Sequence, residues 1–165
     1  MKKNWEKESQ KKILEPEFLE KKVLQLKKEN KTITTLNGSF DLLHAGHLTI
    51  IYEASLTGDI LIVALNSDSS IKKYKSEKRP YVSLKYRLQM LAALEFVDFV
   101  TYFNETTPIK ILEMIKPNVH VNGKEYGENC IEADIVNKNG GKIHIVDLYG
   151  SLSTTNLIKK IKLCE

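Results

Sequence analysis

Two of the four histidines in this chain, His44 and His47, lie three positions apart in the segment NGSFDLLHAGH at 37–47. The segment follows a β-branched run and precedes a helical apolar pattern, so both rings belong to a strand-to-helix turn and point the same way. A helix N-terminus carries unpaired N–H groups and partial positive charge, which favour phosphate. Because Gly38 and Gly46 lack a Cβ, a ligand can approach the backbone. This pattern predicts a phosphate-binding site with two imidazoles at its centre.

Other known ligand-binding turns do not fit this segment. No G-x-G-x-x-G follows the first predicted strand and no G-K-[ST] is present, which excludes a dinucleotide fingerprint and a Walker loop. A two-histidine metal site needs a third ligand, and the better role for Asp41 is to hold the loop by accepting backbone N–H bonds. The remaining alternative is that the histidines only cap a helix. Their clustering in one glycine-containing turn argues against it.

The rest of the chain supplies the elements that must position this turn. Predicted strands lie at 32–36, 60–65, 98–103, 118–122 and 142–148. Predicted helices lie between them, at 45–56, 83–96, 107–116 and 131–139, with a last helix from Ser153 to about residue 162. This alternation predicts an α/β fold with a Rossmann-like, doubly wound sheet of five parallel strands. Ligands bind such sheets beyond the carboxyl ends of the strands, here after residues 36, 65, 122 and 148.

A charged segment precedes this domain. Residues 1–15 are polar and are predicted to be loosely ordered. From Pro16 to about Lys28 the apolar residues fall on one helical stripe that can dock on the core. We therefore expect an N-terminal segment and helix at 1–31 and an α/β domain at 32–165.

The composition is ordinary for a globular protein, with 42% hydrophobic residues, 28% charged residues and a net charge of +4. Acidic residues interrupt the basic N-terminal segment, which argues against nucleic-acid binding. No apolar run reaches the roughly 18 residues of a membrane span, and no apolar signal core follows the N-terminus. Cys130 and Cys164 are too few for a disulfide scaffold. We expect a cytoplasmic protein that binds neither membrane nor nucleic acid.

Several motifs, in order, resemble those of one enzyme family. GSFDLLHAGH at 38–47 is similar to the HxGH signature of the cytidylyltransferase-like nucleotidyltransferases. Further matches are NSD at 66–68, RP at 79–80, Arg87, NG at 122–123 and STTN at 153–156. Within the superfamily the chain looks most similar to the D-glycero-β-D-manno-heptose 1-phosphate adenylyltransferases, through 91–100, ETTP at 105–108 and the ending STTNLIKKI.

The resemblance implies transfer of AMP from ATP, with Mg²⁺, to a sugar 1-phosphate, giving ADP-heptose and pyrophosphate for a surface glycan such as lipopolysaccharide or capsule. It also implies a homodimer. The alternative is a cytidylyltransferase for glycerol 3-phosphate or a similar alcohol phosphate, which the absence of arginine from 146–151 disfavours. A nucleotide-binding module without turnover is the competing class, and the intact HAGH and STTN motifs argue against it.

The same resemblance assigns roles to individual residues. His44, His47 and Lys75 are the expected catalytic residues, while Lys73 and Arg79 are expected to bind substrate. Nucleotide contacts are expected from Gly38, Ser39, Phe40, Gly46, Asn66, Asp68, Lys124, Ser153, Thr154 and Thr155. No protein ligand is assigned to the metal, because Mg²⁺ is expected to bridge phosphate oxygens of the nucleotide.

Other residues keep two interpretations at this stage. The run from Lys72 to Arg79 is either a solvated loop or a phosphate grip, and Arg87 is either an internal ion-pair residue or a ligand. His120 and His144 alternate with apolar residues in predicted strands and are interpreted as packing or surface residues. Ser153–Thr155 is expected both to cap the last helix and to contact phosphate.

Overall fold

The computed structural model describes residues 4–127, 129–147 and 154–163, and these contain a parallel sheet of five strands. The strands are β1 (Ile33–Gly38), β2 (Ile60–Asn66), β3 (Phe99–Phe103), β4 (Val119–Gly123) and β5 (Lys142–Val146). Their order is β3-β2-β1-β4-β5. The direction of winding therefore changes between β1 and β4, which confirms the predicted doubly wound fold.

Helices cover both faces of the sheet. They are α1 (Trp5–Gln10), α2 (Pro16–Lys28), α3 (Ala45–Ser55), α4 (Asp68–Tyr74), α5 (Leu84–Ala92), α6 (Ile109–Ile115), α7 (Ala133–Lys138) and α8 (Thr154–Lys162). Alternate residues of β2 enter opposite cores, with Val63 packed among α3 and α5 and Ile62 among α2 and α6. This explains why β2 is apolar along its whole length. No helix in the described ranges is long and apolar enough to cross a bilayer.

The prediction of loose order for residues 1–15 is wrong from residue 4 onward. Asn4 caps α1 by accepting a hydrogen bond from the Lys7 backbone N–H. The chain then runs beside β3, where Val100 N–H donates to Lys12 O and Leu14 N–H donates to Val100 O, both at 2.8 Å. These bonds cover backbone groups that an edge strand would otherwise expose. A polar composition hid a segment whose order depends on pairing with the sheet.

The prediction also missed α4. This helix occupies part of the segment that was interpreted as a loop. Ser67 caps its N-terminus, and the Ser67 side chain accepts a hydrogen bond from the Ser70 N–H. Ile71 anchors it in the interior with no exposed surface. The other predicted helices and strands overlap the observed ones, although the 83–96 helix ends earlier, at Ala92. The predicted cap Ser153 lies outside the described residues.

Candidate active site

A cleft of about 320 Å³ opens where β1 and β4 end, at the change of winding. We call it the first cleft. The predicted residues that line it are Gly38, Ser39, Phe40, His44, Gly46, His47, Lys75, Thr154 and Thr155. Residues from the first strand, the third helix, the α4 end and the last helix therefore meet at one place, as the fold rule for ligand sites in open α/β sheets requires.

The two imidazoles are stacked in this cleft. Their ring centroids are 3.8 Å apart with an interplanar angle of 26°, and the Phe40 ring meets His47 edge-on at 5.4 Å. His44 occupies the N-cap position of α3, but its side chain makes no capping hydrogen bond. The interpretation that these side chains only cap a helix is therefore wrong, and both rings can face a ligand.

The surroundings of both histidines favour the neutral ring. Burial lowers the pKa of His44, and burial followed by the charges of His44 and Lys75 lowers the pKa of His47 to about 4. Each Nδ1 is buried, and neither has a hydrogen-bond partner within the described part of the chain. A neutral imidazole still donates one N–H. An incoming polyanion would favour the charged rings and so raise both pKa values.

Lys75 brings an ammonium group to the cleft beside the two neutral imidazoles. It lies at the C-terminal end of α4, and its Nζ donates to Ser39 Oγ at 2.9 Å. Burial, then the nearby Arg79, lowers the pKa of Lys75. The predicted substrate residue Lys73 is exposed in the last turn of α4 and is not among the residues that line this cleft.

The turn that presents these groups is built around Phe40. This residue has a positive φ of 45° and is 4% exposed. A Cβ at Gly38 would lie 3.1 Å from the Phe40 ring, so glycine there lets the ring fold beneath the turn. The turn therefore needs Gly38 for its own packing, in addition to the predicted approach of a phosphate to the backbone.

Arg87 stabilises the backbone that carries the site through buried hydrogen bonds. Fully buried, its guanidinium donates to the backbone carbonyl groups of Ser39, Asn66 and Val82 at 2.6, 2.9 and 2.9 Å, and it pairs with Asp68 at 2.8 Å. It thereby joins the ends of β1 and β2 to α5. Of its two interpretations, the internal ion pair is confirmed.

Asp41 holds the turn from the other side. Its carboxylate accepts N–H bonds from Tyr81 and Val82 at 2.7 and 2.9 Å and pairs with Arg79 Nε at 2.7 Å. Its predicted loop-holding role is confirmed. The Arg79 guanidinium also lies over the Tyr81 ring, 4.6 Å from its centroid, so its predicted substrate role would require leaving these partners.

Two further predicted nucleotide residues are engaged elsewhere. Asp68 pairs with Arg87 and accepts a hydrogen bond from the Leu84 backbone N–H at 2.9 Å. Lys124 is exposed and pairs with Asp147. Neither of them lines the first cleft.

A second cleft of about 260 Å³ lies across the end of β1, among the ends of β2, β3 and β4. Lys75 and Ser39 line both clefts, so the two spaces adjoin. The predicted residue Asn66 lies here. Sequence reasoning missed three further residues of this cleft, Tyr74, Tyr126 and Glu132. It quoted Asn37, Thr106 and Asn122 within motifs but gave them no role in a site. The two asparagines lie near the ends of β1 and β4, at the expected edge of the sheet, whereas Glu132 belongs to no quoted motif.

Within the described ranges, no three His, Cys, Asp or Glu side chains converge closely enough to hold a metal ion. One carboxylate, Glu125, lines the first cleft. That donor set fits a hard cation that takes most of its ligands from substrate phosphates and water.

His120 is a packing residue, as interpreted. It is fully buried in β4, and its Nδ1 is 2.8 Å from Thr35 Oγ1. His144 is exposed in β5, in agreement with the surface interpretation.

Comparison with known proteins finds relatives that share one name. Relatives named "Bifunctional protein HldE" include one from Campylobacter jejuni subsp. doylei, 44% identical over 83% of this chain and 29% of the relative. Another, from Geobacter metallireducens, is 42% identical over 82% of this chain and 28% of the relative. The chain thus spans less than a third of the length of these relatives.

Two solved structures share the fold. The lipopolysaccharide core biosynthesis protein from Thermoplasma volcanium superposes with a TM-score of 0.59 at 26% identity, covering 74% of this chain and 99% of that protein. Pantoate-beta-alanine ligase from Francisella tularensis has a TM-score of 0.58 over 92% of this chain and 77% of its own, and at 16% identity the likeness concerns the fold alone.

A family model described as cytidylyltransferase-like matches residues 35–156, which include most of β1, the histidine turn and the first residues of α8. The match covers most of the chain and confirms the predicted class of enzyme, a nucleotidyltransferase. The chain belongs to the cytidylyltransferase-like family.

Proposed function

We propose that this chain transfers AMP from ATP to a sugar 1-phosphate, with D-glycero-D-manno-heptose 1-phosphate as the acceptor and ADP-heptose and pyrophosphate as products. The observation that carries the proposal is the stacked pair His44 and His47, whose Nδ1 atoms have no hydrogen-bond partner among the described residues and which line a cleft together with Lys75. The resemblance in ETTP at 105–108 supports the acceptor. So do the relatives named HldE and the similar lipopolysaccharide core biosynthesis protein.

In this proposal the first cleft binds the nucleotide. The imidazole N–H groups and the Lys75 ammonium face the phosphates, and Thr154 and Thr155 approach them from the start of α8. Helix N-termini favour anions at this position. Mg²⁺ would enter with ATP, would find the Glu125 carboxylate in the wall of the first cleft, and would reduce the negative charge of the phosphates.

The second cleft binds the acceptor. Because Lys75 and Ser39 line both clefts, the acceptor phosphate and the α-phosphate of ATP can lie side by side. An acceptor oxygen then forms a bond to the α-phosphorus while the bond to the β-phosphate oxygen breaks, and pyrophosphate leaves with the electron pair. The acceptor oxygen is anionic at neutral pH, so positioning and charge stabilisation supply the catalysis without a general base.

The test is pyrophosphate release with each nucleotide and each acceptor. We expect turnover with ATP and heptose 1-phosphate and little with CTP and glycerol 3-phosphate. The reverse preference would show that the cytidylyltransferase alternative is correct. Tight ATP binding without pyrophosphate from any phosphate acceptor would instead identify a binding module.

The assembly and location of the protein remain proposals as well. We propose a cytoplasmic homodimer, as the family resemblance implies. Light scattering of the purified chain at micromolar concentration measures its mass, and a monomer would contradict the proposal.

A further inference from the structure

Glu132 places a carboxylate in the wall of the second cleft although its residue is only 5% exposed. It immediately precedes α7, but its side chain makes no capping hydrogen bond there. A carboxylate out of water is costly unless hydrogen bonds replace its hydration. The Glu132 carboxylate therefore needs hydrogen-bond donors at this position.

The partners that the described chain supplies are few. Asn122 Nδ2 donates to Glu132 Oε2 over a long 3.4 Å, and burial and then this nearby carboxylate raise the pKa of the Cys130 thiol. No lysine or arginine among the described residues forms an ion pair with it. The nearby His120 is not a counter-ion at neutral pH, because burial lowers its pKa to about 4 despite the opposing charge of Glu132. Since a carboxylate can accept about four hydrogen bonds, acceptor capacity is left over.

We infer that Glu132 selects the acceptor by accepting hydrogen bonds from sugar hydroxyl groups in the second cleft. The inference rests on the proposed function and goes beyond it by naming the residue that recognises the sugar. A carboxylate repels phosphate, so the phosphate end of the acceptor lies toward Lys75 and the hydroxyl-bearing end toward Glu132. The side chains of Asn37, Asn66, Asn122 and Thr106 line the same cleft and are neutral donors and acceptors that suit hydroxyl groups.

The test compares Glu132→Gln with the wild type and with Glu113→Gln, a control on the exposed face of α6. Glutamine keeps the shape of the side chain and removes its charge. Losing a hydrogen bond to a charged group should weaken binding of heptose 1-phosphate, measured by calorimetry, by about 10- to 100-fold. The affinities for methyl phosphate, which carries no hydroxyl group, and for ATP should change less than about twofold.

Thermal unfolding separates recognition from a structural role. If Glu132 served only to hold the fold, Glu132→Gln would lower the unfolding midpoint and weaken both phosphate ligands equally. We expect an unchanged or higher midpoint, because the substitution removes a poorly compensated buried charge. Equal affinity of wild type and variant for heptose 1-phosphate, or no binding to the wild type, would overturn the inference. Binding that is lost in the variant, but without pyrophosphate release by the wild type, would overturn the proposed function and leave the recognition role supported.

Discussion

Among single residues, His44 and His47 combine a lowered pKa with Nδ1 atoms that have no hydrogen-bond partner in the described part of the chain. Replacing either by alanine removes an imidazole that we propose donates to the phosphates, while leaving the buried core of α3 intact. We expect kcat to fall by about 10²- to 10³-fold, the usual loss for one donor to transition-state charge. Pyrophosphate release measures the rate and circular dichroism the fold. His144→Ala, at an exposed position of β5, is the matched control. A near-normal rate in His47→Ala would refute the assignment.

Lys75 supplies positive charge where the two clefts meet. Lys75→Ala removes both the ammonium and its bond to Ser39 Oγ. We expect kcat/KM to fall by at least about tenfold for ATP and for the acceptor, since charge-assisted hydrogen bonds are worth about twice neutral ones. Steady-state kinetics with each substrate varied in turn checks this. Lys138→Ala, on the exposed side of α7, should behave as wild type. If Lys75→Ala did so too, the charged run at 72–79 would be a solvated surface.

The sequence located the centre of the site because its residues are contiguous and unusual in type. HAGH with its glycines, and the lysine at 75, lie in the cleft that the structure shows. Glu132 and Tyr126 could not be found this way, because nothing in their local sequence signals that the chain after β4 folds back over the cleft. The opposite error concerns three residues that were predicted to bind a ligand but form ion pairs within the protein: Asp68, Arg79 and Lys124. Charged residues near a site are as readily used by the protein for its own ion pairs.

At the scale of elements, Arg87 joins two strand ends to one helix. Arg87→Met keeps the length of the side chain but leaves the carbonyl groups of Ser39 and Asn66 without their buried donor. We expect a loss of about 3 kcal/mol in the free energy of unfolding, since each unsatisfied buried group costs about 1–3 kcal/mol. Urea titration measures it. Lys85→Met, on the exposed side of the same helix, controls for the substitution type. A loss under about 0.5 kcal/mol, the size typical of surface substitutions, would show that water replaces the guanidinium.

Strands and long helices were predictable because their periodicity is local. The run ILIVAL at 60–65 predicts a strand buried on both faces, and β2 is that strand. The segments before Pro16 and after Asn66 were missed for a different reason. Lys12 and Leu14 are ordered by backbone bonds to Val100, and α4 by the burial of Ile71, and neither contact has a signature in its own sequence window.

At the scale of the whole molecule, stability and acidity are linked through histidines that the fold keeps neutral. His120 is fully buried beside Thr35, and burial lowers its pKa from 6.5 to about 4. His47 has a pKa of about 4 for the same first cause. Above pH 6.5 both states of the chain leave these rings unprotonated, so the histidines do not make stability depend on pH there. As the pH falls from 6.5 to about 4, the unfolded chain binds protons that the folded chain does not, and stability falls.

This linkage gives a slope that can be measured. His120 should lower the free energy of unfolding as the pH falls from 6.5 toward 4, by at most about 1.4 kcal/mol for each pH unit, which is the limit set by one proton. Urea titrations at pH 7, 6 and 5 determine the slope, which is independent of any constant cost of a substitution. His120→Gln should make it shallower because glutamine does not titrate. His144→Gln, at an exposed position, should leave it unchanged. Parallel slopes for wild type and His120→Gln would mean that His120 binds its proton equally in the folded and the unfolded chain. Burial would then not lower the pKa of His120.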